Sequence, residues 1–270
     1  MQKTILITGA TDGIGLETSR RLLALGHNVL LHGRNPSKLT RIARDLSTSK
    51  EIESYVADLT DMAEVEALAN AVLDKHKKLD VLINNAGVLK SPERLTKDGL
   101  DLRFAVNTIA PYLLTKRLWS LFDESGRIIN LSSAAQAPVD LSALMGKTSL
   151  DNMTAYAQSK LAITMWSRQM ASATPGAPVI VAVNPGSLLA TKMVKEGFGM
   201  SGKDLNIGAE VLVRAALADE FADSSGKYFD NDLGVFSDPH PDALDKDKLA
   251  AIVLKIEEIL DQLKASQKTR

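Results

Sequence analysis

Thr8-Gly9-Ala10-Thr11-Asp12-Gly13-Ile14-Gly15 stands between an apolar run, Thr4-Ile5-Leu6-Ile7, and a segment of helical periodicity near residues 14–25. Its glycines fall in a G-x-x-x-G-x-G pattern. A residue without Cβ permits a tight turn and lets a pyrophosphate approach the backbone. The helix that follows offers free amides and the positive end of its dipole to the phosphates. Gly9, Thr11, Asp12, Gly13, Ile14 and Gly15 are thus the candidate cradle for a dinucleotide. The G-x-G-x-x-G fingerprint is not met, because Thr18 stands where its third glycine would be.

Outward from this turn, short β-branched runs alternate with helical patterns. Strands are expected at Thr4–Thr8, Asn28–His32, Glu51–Ala57, Val81–Asn84, Arg127–Leu131, Val179–Asn184 and Lys227–Phe229. Helices are expected near 14–25, 36–47, 61–77, 100–122, 155–173 and 207–219, with a charged helical segment at 241–265. Regular β-α-β alternation with right-handed crossovers predicts an α/β fold, a doubly wound parallel sheet covered by helices on both faces. Residues 1–270 read as a single domain without repeats. Two irregular stretches, 134–153 and 186–206, are long enough to be binding loops.

Ligands of such sheets bind at the carboxyl ends of the strands. There the second strand ends in His32-Gly33-Arg34. An acid near this position grips a ribose 2′-hydroxyl, whereas an arginine accommodates a 2′-phosphate with paired donors. Arg34 therefore favours NADP(H), with NAD(H) possible; Asp12 argues mildly the other way if it points toward the ribose. Asp58 and Leu59 follow the third strand, where Asp58 either accepts from the adenine amino group or caps the helix near Asp61. Asn85-Ala86-Gly87 after the fourth strand makes a small, sharp turn with room for a flat ring.

Tyr156 and Lys160 are four residues apart, which puts phenol and ammonium on one face of a helix. A tyrosine pKa near ~10 is too high for ready exchange at neutral pH, and a nearby lysine charge would lower it. The pair can act as a tuned general acid/base.

The chain has 270 residues and a net charge of −1, with 45% apolar and 24% charged residues. That balance carries no electrostatic footprint for nucleic acid or anionic membrane. There is no cysteine, which excludes disulfides and thiolate chemistry, and the four histidines form no ligand cluster, so no metal is expected. No apolar run approaches the ~20 residues of a membrane span. A soluble, cytoplasmic protein is the expectation.

Taken together, TGATDGIG, Asp58, the 84–87 turn, Asn107, Ser133, Tyr156, Lys160 and Asn184-Pro185-Gly186 resemble the classical short-chain dehydrogenase/reductase family, from Thr8 to about Thr191. The resemblance implies a Rossmann-type fold and hydride transfer between a nicotinamide cofactor and a carbonyl or alcohol. It implies Tyr156 as acid/base, Lys160 as its partner and a ribose ligand, and Ser133 as donor to the reacting oxygen. It also implies Asn107 as a water-positioning amide, with Pro185, Gly186 and Thr191 beside the cofactor. The alternative for Asn107 is a buried amide satisfied by backbone. Ser133 is preferred to Ser132 because the second serine after the strand carries the role in the family.

Two departures stand out. Ser133 and Tyr156 are 23 positions apart, with Asp140–Ser149 looping out between them, and Thr191 lies one residue beyond the common spacing. The long spacing and Gly226-Lys227-Tyr228-Phe229 are similar to the retinol dehydrogenase-like branch, whose members often carry a membrane anchor. Leu188, Leu189, Met193, Val194, Phe198 and Met200 either line an apolar substrate pocket or pack on the protein itself. Apolar residues on more than one face of the Asn107 and Tyr156 helices suggest a homodimer. The alternative function is a non-catalytic NADP(H)-binding sensor or scaffold, separated from the enzyme by testing turnover.

Overall fold

Strand residues that are apolar on both sides need cover on both sides. Ile5 and Ile7 join one buried cluster and Leu6, between them, joins the other; Ile128 and Ile129 divide in the same way. The computed structural model describes residues 1–47, 51–173, 176–199 and 201–268. In chain order its elements begin with β1 (Thr4–Ile7), α1 (Gly13–Ala24), β2 (Asn28–Gly33), α2 (Pro36–Leu46), β3 (Ser54–Val56), α3 (Met62–Lys75) and β4 (Val81–Asn84). The middle of the chain forms α4 (Leu102–Phe104), α5 (Ala110–Leu118), β5 (Arg127–Leu131), α6 (Leu141–Leu144), α7 (Asn152–Ala173) and β6 (Val179–Asn184). It closes with α8 (Lys192–Phe198), α9 (Leu205–Leu217), β7 (Tyr228–Asp230), β8 (Val235–Ser237) and α10 (Lys246–Lys268).

The strands form one sheet in the order β3-β2-β1-β4-β5-β6-β7-β8, parallel except for the last pair. The order reverses between β1 and β4, which opens the crevice where such sheets bind ligands. Helices α1, α2 and α9 cover one face; α3, α5, α7 and α10 cover the other. This is the doubly wound architecture expected.

The differences have local causes. The third strand is only three residues, and β8 was not expected, because Val235-Phe236-Ser237 is too short to signal a strand by itself. It exists because the turn after β7 folds it back in antiparallel register, Tyr228 opposite Ser237. The helix expected over 100–122 is interrupted by a π turn at Ala105–Ile109, which carries Asn107. Extra turns of this kind collect at functional sites. Helix α7 starts three residues early because Asp151 accepts from the Met153 and Thr154 amides. The stretches read as loops contain α6 and α8.

The residues that suggested a homodimer are not free. Leu113, Leu118, Leu161, Met165 and Trp166 share a cluster with Leu249, Ile252, Ile256 and Ile259 of α10. Glu257 of that helix takes the Tyr112 hydroxyl at 2.5 Å and the Lys116 ammonium at 2.6 Å. The face on which the expected pairing rested is occupied from within the same chain. Among the described residues no helix is long and apolar enough to cross a membrane.

Ile256 is fully buried, whereas Leu254 two positions away is 70% exposed. Ile256→Ala should therefore lower stability by about 2–5 kcal/mol. Leu254→Ala should stay within about 0.5 kcal/mol. Urea unfolding checks both, and light scattering at micromolar concentration should return single chains.

Candidate active site

The glycine turn is shaped by its neighbours. A Cβ on Gly15 would lie 2.4 Å from the Asn85 side-chain nitrogen and 2.4 Å from the Gly9 carbonyl. One on Gly9, whose φ is +67°, would meet the Ala86 Cα at 2.9 Å. Asn85 donates to the Thr8 carbonyl at 2.9 Å and the Gly9 carbonyl at 3.1 Å, binding the β1 turn to the β4 turn. Asp12 caps α1 through the Gly13 amide at 2.8 Å. Among the described residues the Ile14 and Gly15 amides at the start of α1 donate to no protein group. This narrow crossing with free amides fits the pyrophosphate of a dinucleotide. Thr18, at the third-glycine position, is buried and returns its hydroxyl to the Ile14 carbonyl at 2.8 Å.

Just past β2, Arg34 is exposed and makes no hydrogen bond or ion pair among the described residues. Asp12, read as a competitor for the ribose, is instead held by Lys38 at 2.6 Å, and this bond keeps its carboxyl below the ordinary range. Lys38 was not anticipated; it lies four residues past Arg34, behind the α2 cap that Asn35 supplies. The cap of α3 is Asp61, not Asp58. Asp58 takes the Thr60 amide at 2.9 Å on one oxygen, and Leu59 beside it is buried.

His32 was also missed. The Gly9 amide donates to its Nδ1 at 3.2 Å, so Nε2 carries the proton and donates to the Ala57 carbonyl at 3.0 Å. Burial lowers its pKa to about 4, so the ring is a neutral strut between the glycine turn and the end of β3.

At the other end Asn107, Ser133, Tyr156 and Lys160 converge beyond β4 and β5. The Asn107 side chain pairs with both backbone groups of Val88, at 2.8 and 2.9 Å, and donates to Ser159 Oγ at 2.9 Å. Its side chain is therefore fully engaged in joining the β4 loop to α7. The buried Arg103–Asp101 pair reinforces the same junction, because Arg103 also donates to Asn152 at 2.8 Å.

Of the two serines, Ser132 is buried and bound to Thr164 Oγ1 at 2.7 Å, whereas Ser133 is half-buried and near enough to the Tyr156 phenol to lower its pKa. The alternation expected along a strand end separates them.

The electrostatics differ from the sequence-based expectation. Burial pushes the Tyr156 phenol above its ordinary value, and the Ser133 side chain pulls it only part of the way back. The Lys160 ammonium lies 5.7 Å from the ring centre and donates to the Leu131 carbonyl at 2.6 Å. Burial lowers its own pKa to about 7. A desolvated, partly neutral lysine has little charge with which to depress its neighbour.

The Pro185-Gly186 loop borders the same crevice. Thr191 accepts the Val194 amide as the cap of α8, and its methyl would lie 3.6 Å from a Cβ on Gly13. Leu189 and Val194 are buried against the protein, while Leu188 is exposed with φ +55°. Met193 Cε and Lys160 Nζ would each lie 3.6 Å from a Cβ on Gly87, so Met193 faces the site. Met200 and the Phe198 side chain lie outside the described residues.

Comparisons with known proteins identify the family and the fold. The short chain dehydrogenase family model matches residues 3–200. Human retinol dehydrogenase 13 is 32% identical over 251 residues, covering 84% of this chain and 76% of that protein. Human polyprenol dehydrogenase is 31% identical over 254 residues, covering 85% and 77%. Among solved structures, an uncharacterized protein from Mycobacterium paratuberculosis superposes with TM-score 0.79 at 26% identity, covering 96% of this chain and 93% of that one. A short chain dehydrogenase from Escherichia coli CFT073, complexed with NADPH, superposes with TM-score 0.69 at 24% identity, over 85% and 96%, a likeness of fold.

The buried lysine sets a pH dependence. Its folded pKa is about 7 against an ordinary 10.5. Between these values the unfolded chain holds a proton that the folded chain lacks, so stability falls as pH is lowered through the window and is flat on this account below it. Lys160→Met lacks that dependence. The advantage of the variant in thermal unfolding should widen from about pH 10 to about pH 7 and then stay level.

Proposed function

The chain belongs to the short-chain dehydrogenase family, in its retinol dehydrogenase-like branch, and from that premise we propose that it is an NADP(H)-dependent oxidoreductase interconverting an apolar carbonyl compound and its alcohol. The observation that carries the reading is the Tyr156 phenol, acted on by the Ser133 side chain and standing beside buried Lys160, together with the free Ile14 and Gly15 amides at the start of α1.

Bound NADP(H) supplies or accepts the hydride. Gly9, Gly13, Ile14 and Gly15 hold its pyrophosphate, Asp58, Leu59 and Asn85-Ala86-Gly87 border the adenosine and the ring, and Pro185, Gly186 and Thr191 flank the nicotinamide end. Arg34 and Lys38 are the cations for a 2′-phosphate, in support of NADP(H) over NAD(H). Ser133 and Tyr156 donate to the carbonyl oxygen, and Tyr156 gives its proton as the carbon is reduced. The raised phenol pKa keeps that proton in place until the oxygen gains charge. Lys160 binds the ribose and, once charged, stabilises the phenolate left behind. Met193 and Leu188 offer an apolar wall to the substrate.

A panel of aldehydes and ketones, retinal included because of the retinol dehydrogenase relatives, should show NADPH oxidation. Tyr156→Phe should lose at least ~10²-fold in turnover with NADPH binding unchanged. Tight NADPH binding with no turnover of any carbonyl would favour a sensor instead.

The cofactor preference has its own test. NADPH should bind more tightly than NADH, and Arg34→Ala should weaken NADPH alone by roughly ten- to a hundredfold, the worth of a charge-assisted bond. Lys38→Ala should act in the same direction. Equal affinities in the wild type would refute the preference.

A further inference from the structure

Gly226-Lys227-Tyr228-Phe229 and the turn after it lie beyond the matched residues 3–200, and the proposed reaction assigns them no part. Alternation along β7 divides its side chains between two jobs. Phe229 packs with Phe221 and Phe236 on the far side of the sheet, with ring centres 5.0 Å apart in each case. Tyr228 and Asp230 point the other way, toward the crevice.

Tyr228 is 4% exposed, and its hydroxyl donates to the Ser133 carbonyl at 3.1 Å. Gln136 donates to the same carbonyl at 3.0 Å, and its own oxygen accepts the His240 amide at 3.1 Å. Two donors on one carbonyl fix the rotation of the peptide from which the Ser133 side chain hangs. That serine oxygen is further held by the Ala135 amide at 3.1 Å.

The turn after β7 does the same for the loop after β6. Asp232 accepts the Ser187 amide at 2.9 and 3.1 Å, the Ser187 hydroxyl at 2.5 Å and the Asn184 amide group at 2.9 Å. Asn231 donates to the Pro185 carbonyl at 3.0 Å. Asp230 takes a second bond from Asn184 at 2.9 Å, while Asn184 Oδ1 accepts the Gly186 amide at 3.2 Å. None of these bonds closes the hairpin itself. Its register comes from the backbone pairing of β7 with β8 and from the phenylalanine cluster.

We propose that the β7–β8 hairpin positions both halves of the reaction centre, Tyr228 aiming Ser133 at the carbonyl oxygen and Asp232 holding the Pro185–Ser187 loop against the nicotinamide. The proposal rests on the reaction put forward above. Tyr228 and Asp232 are positioning residues, since each acts through another group. Their effects should consequently separate: one falls on turnover, the other on cofactor binding.

Kinetics and NADPH binding, measured on the full chain by the quenching of protein fluorescence, test this. Tyr228→Phe removes one hydroxyl from a ring that otherwise fits. It should lower kcat about tenfold, the scale of one lost hydrogen bond, and leave the NADPH Kd unchanged. In the Ser133→Ala background the same change should cost no further turnover, because its only route of action is gone. Asp232→Ala should weaken NADPH binding about tenfold or more, and Asp232→Asn, which keeps the shape and one acceptor, should recover part of that loss. Wild-type kcat in Tyr228→Phe, fully additive losses in the double variant, or wild-type NADPH affinity in Asp232→Ala would each overturn the proposal. NADPH binding is read whether or not a carbonyl turns over, so a wild type that binds NADPH but reduces nothing counts against the proposed reaction and not against Asp232.

Discussion

The amide of Asn85 holds this fold at its narrowest point. It binds the carbonyls of Thr8 and Gly9, where the chain leaves β1, to the turn that leaves β4. These are the neighbouring strands between which the sheet reverses direction of growth. The amide reaches both carbonyls only because Gly15 has no Cβ to obstruct it. A substitution at Gly15 would therefore open the crossing, tilt α1 away from the sheet and leave buried carbonyls without donors, a cost of about 1–3 kcal/mol each. His32 braces the same turn from the β2 side, and it can do so only as a neutral ring.

Burial governs the titration of the site. It is the largest influence on His32, Tyr156 and Lys160 alike, and in each case it favours the uncharged form. The crevice is thus kept poor in fixed charge at the reaction end. Exposed Arg34 stands at the far end of the crevice, past β2. An anionic ligand lying along the crevice would supply the negative potential that returns Lys160 to its charged form. The lysine would then be fully effective only in the loaded protein.

The sheet and its helices were legible because strand and helix periodicities differ and the β-α-β alternation repeats without a break. The shared helix face of Tyr156 and Lys160 was legible from their four-residue spacing, which is common by itself and gains weight from its place among the other motifs. The bonds that orient them were not. His32 looks like an ordinary strand residue until Ala57 is seen opposite it, and Tyr228 lies 95 positions from the serine it holds. The apolar faces of α5 and α7 were correctly seen as needing a partner, but periodicity cannot say that the partner is α10. Lysine depressing its tyrosine was the natural expectation from a four-residue spacing. It fails in this arrangement because the same burial that joins the pair removes the lysine's charge.

The distance along the chain between α7 and α10 has a consequence for synthesis. A ribosome releases α5 and α7 more than seventy residues before α10. Through that interval Leu113, Leu161 and Met165 lack the cover of α10, although the earlier strands can already pair. Partly folded chains with such a face uncovered associate with one another or with chaperones. The arrival of α10 is therefore what ends the exposure of this face on the nascent chain. Within the native protein it is a layer of the core, and during translation it is the late cover for helices made well before it.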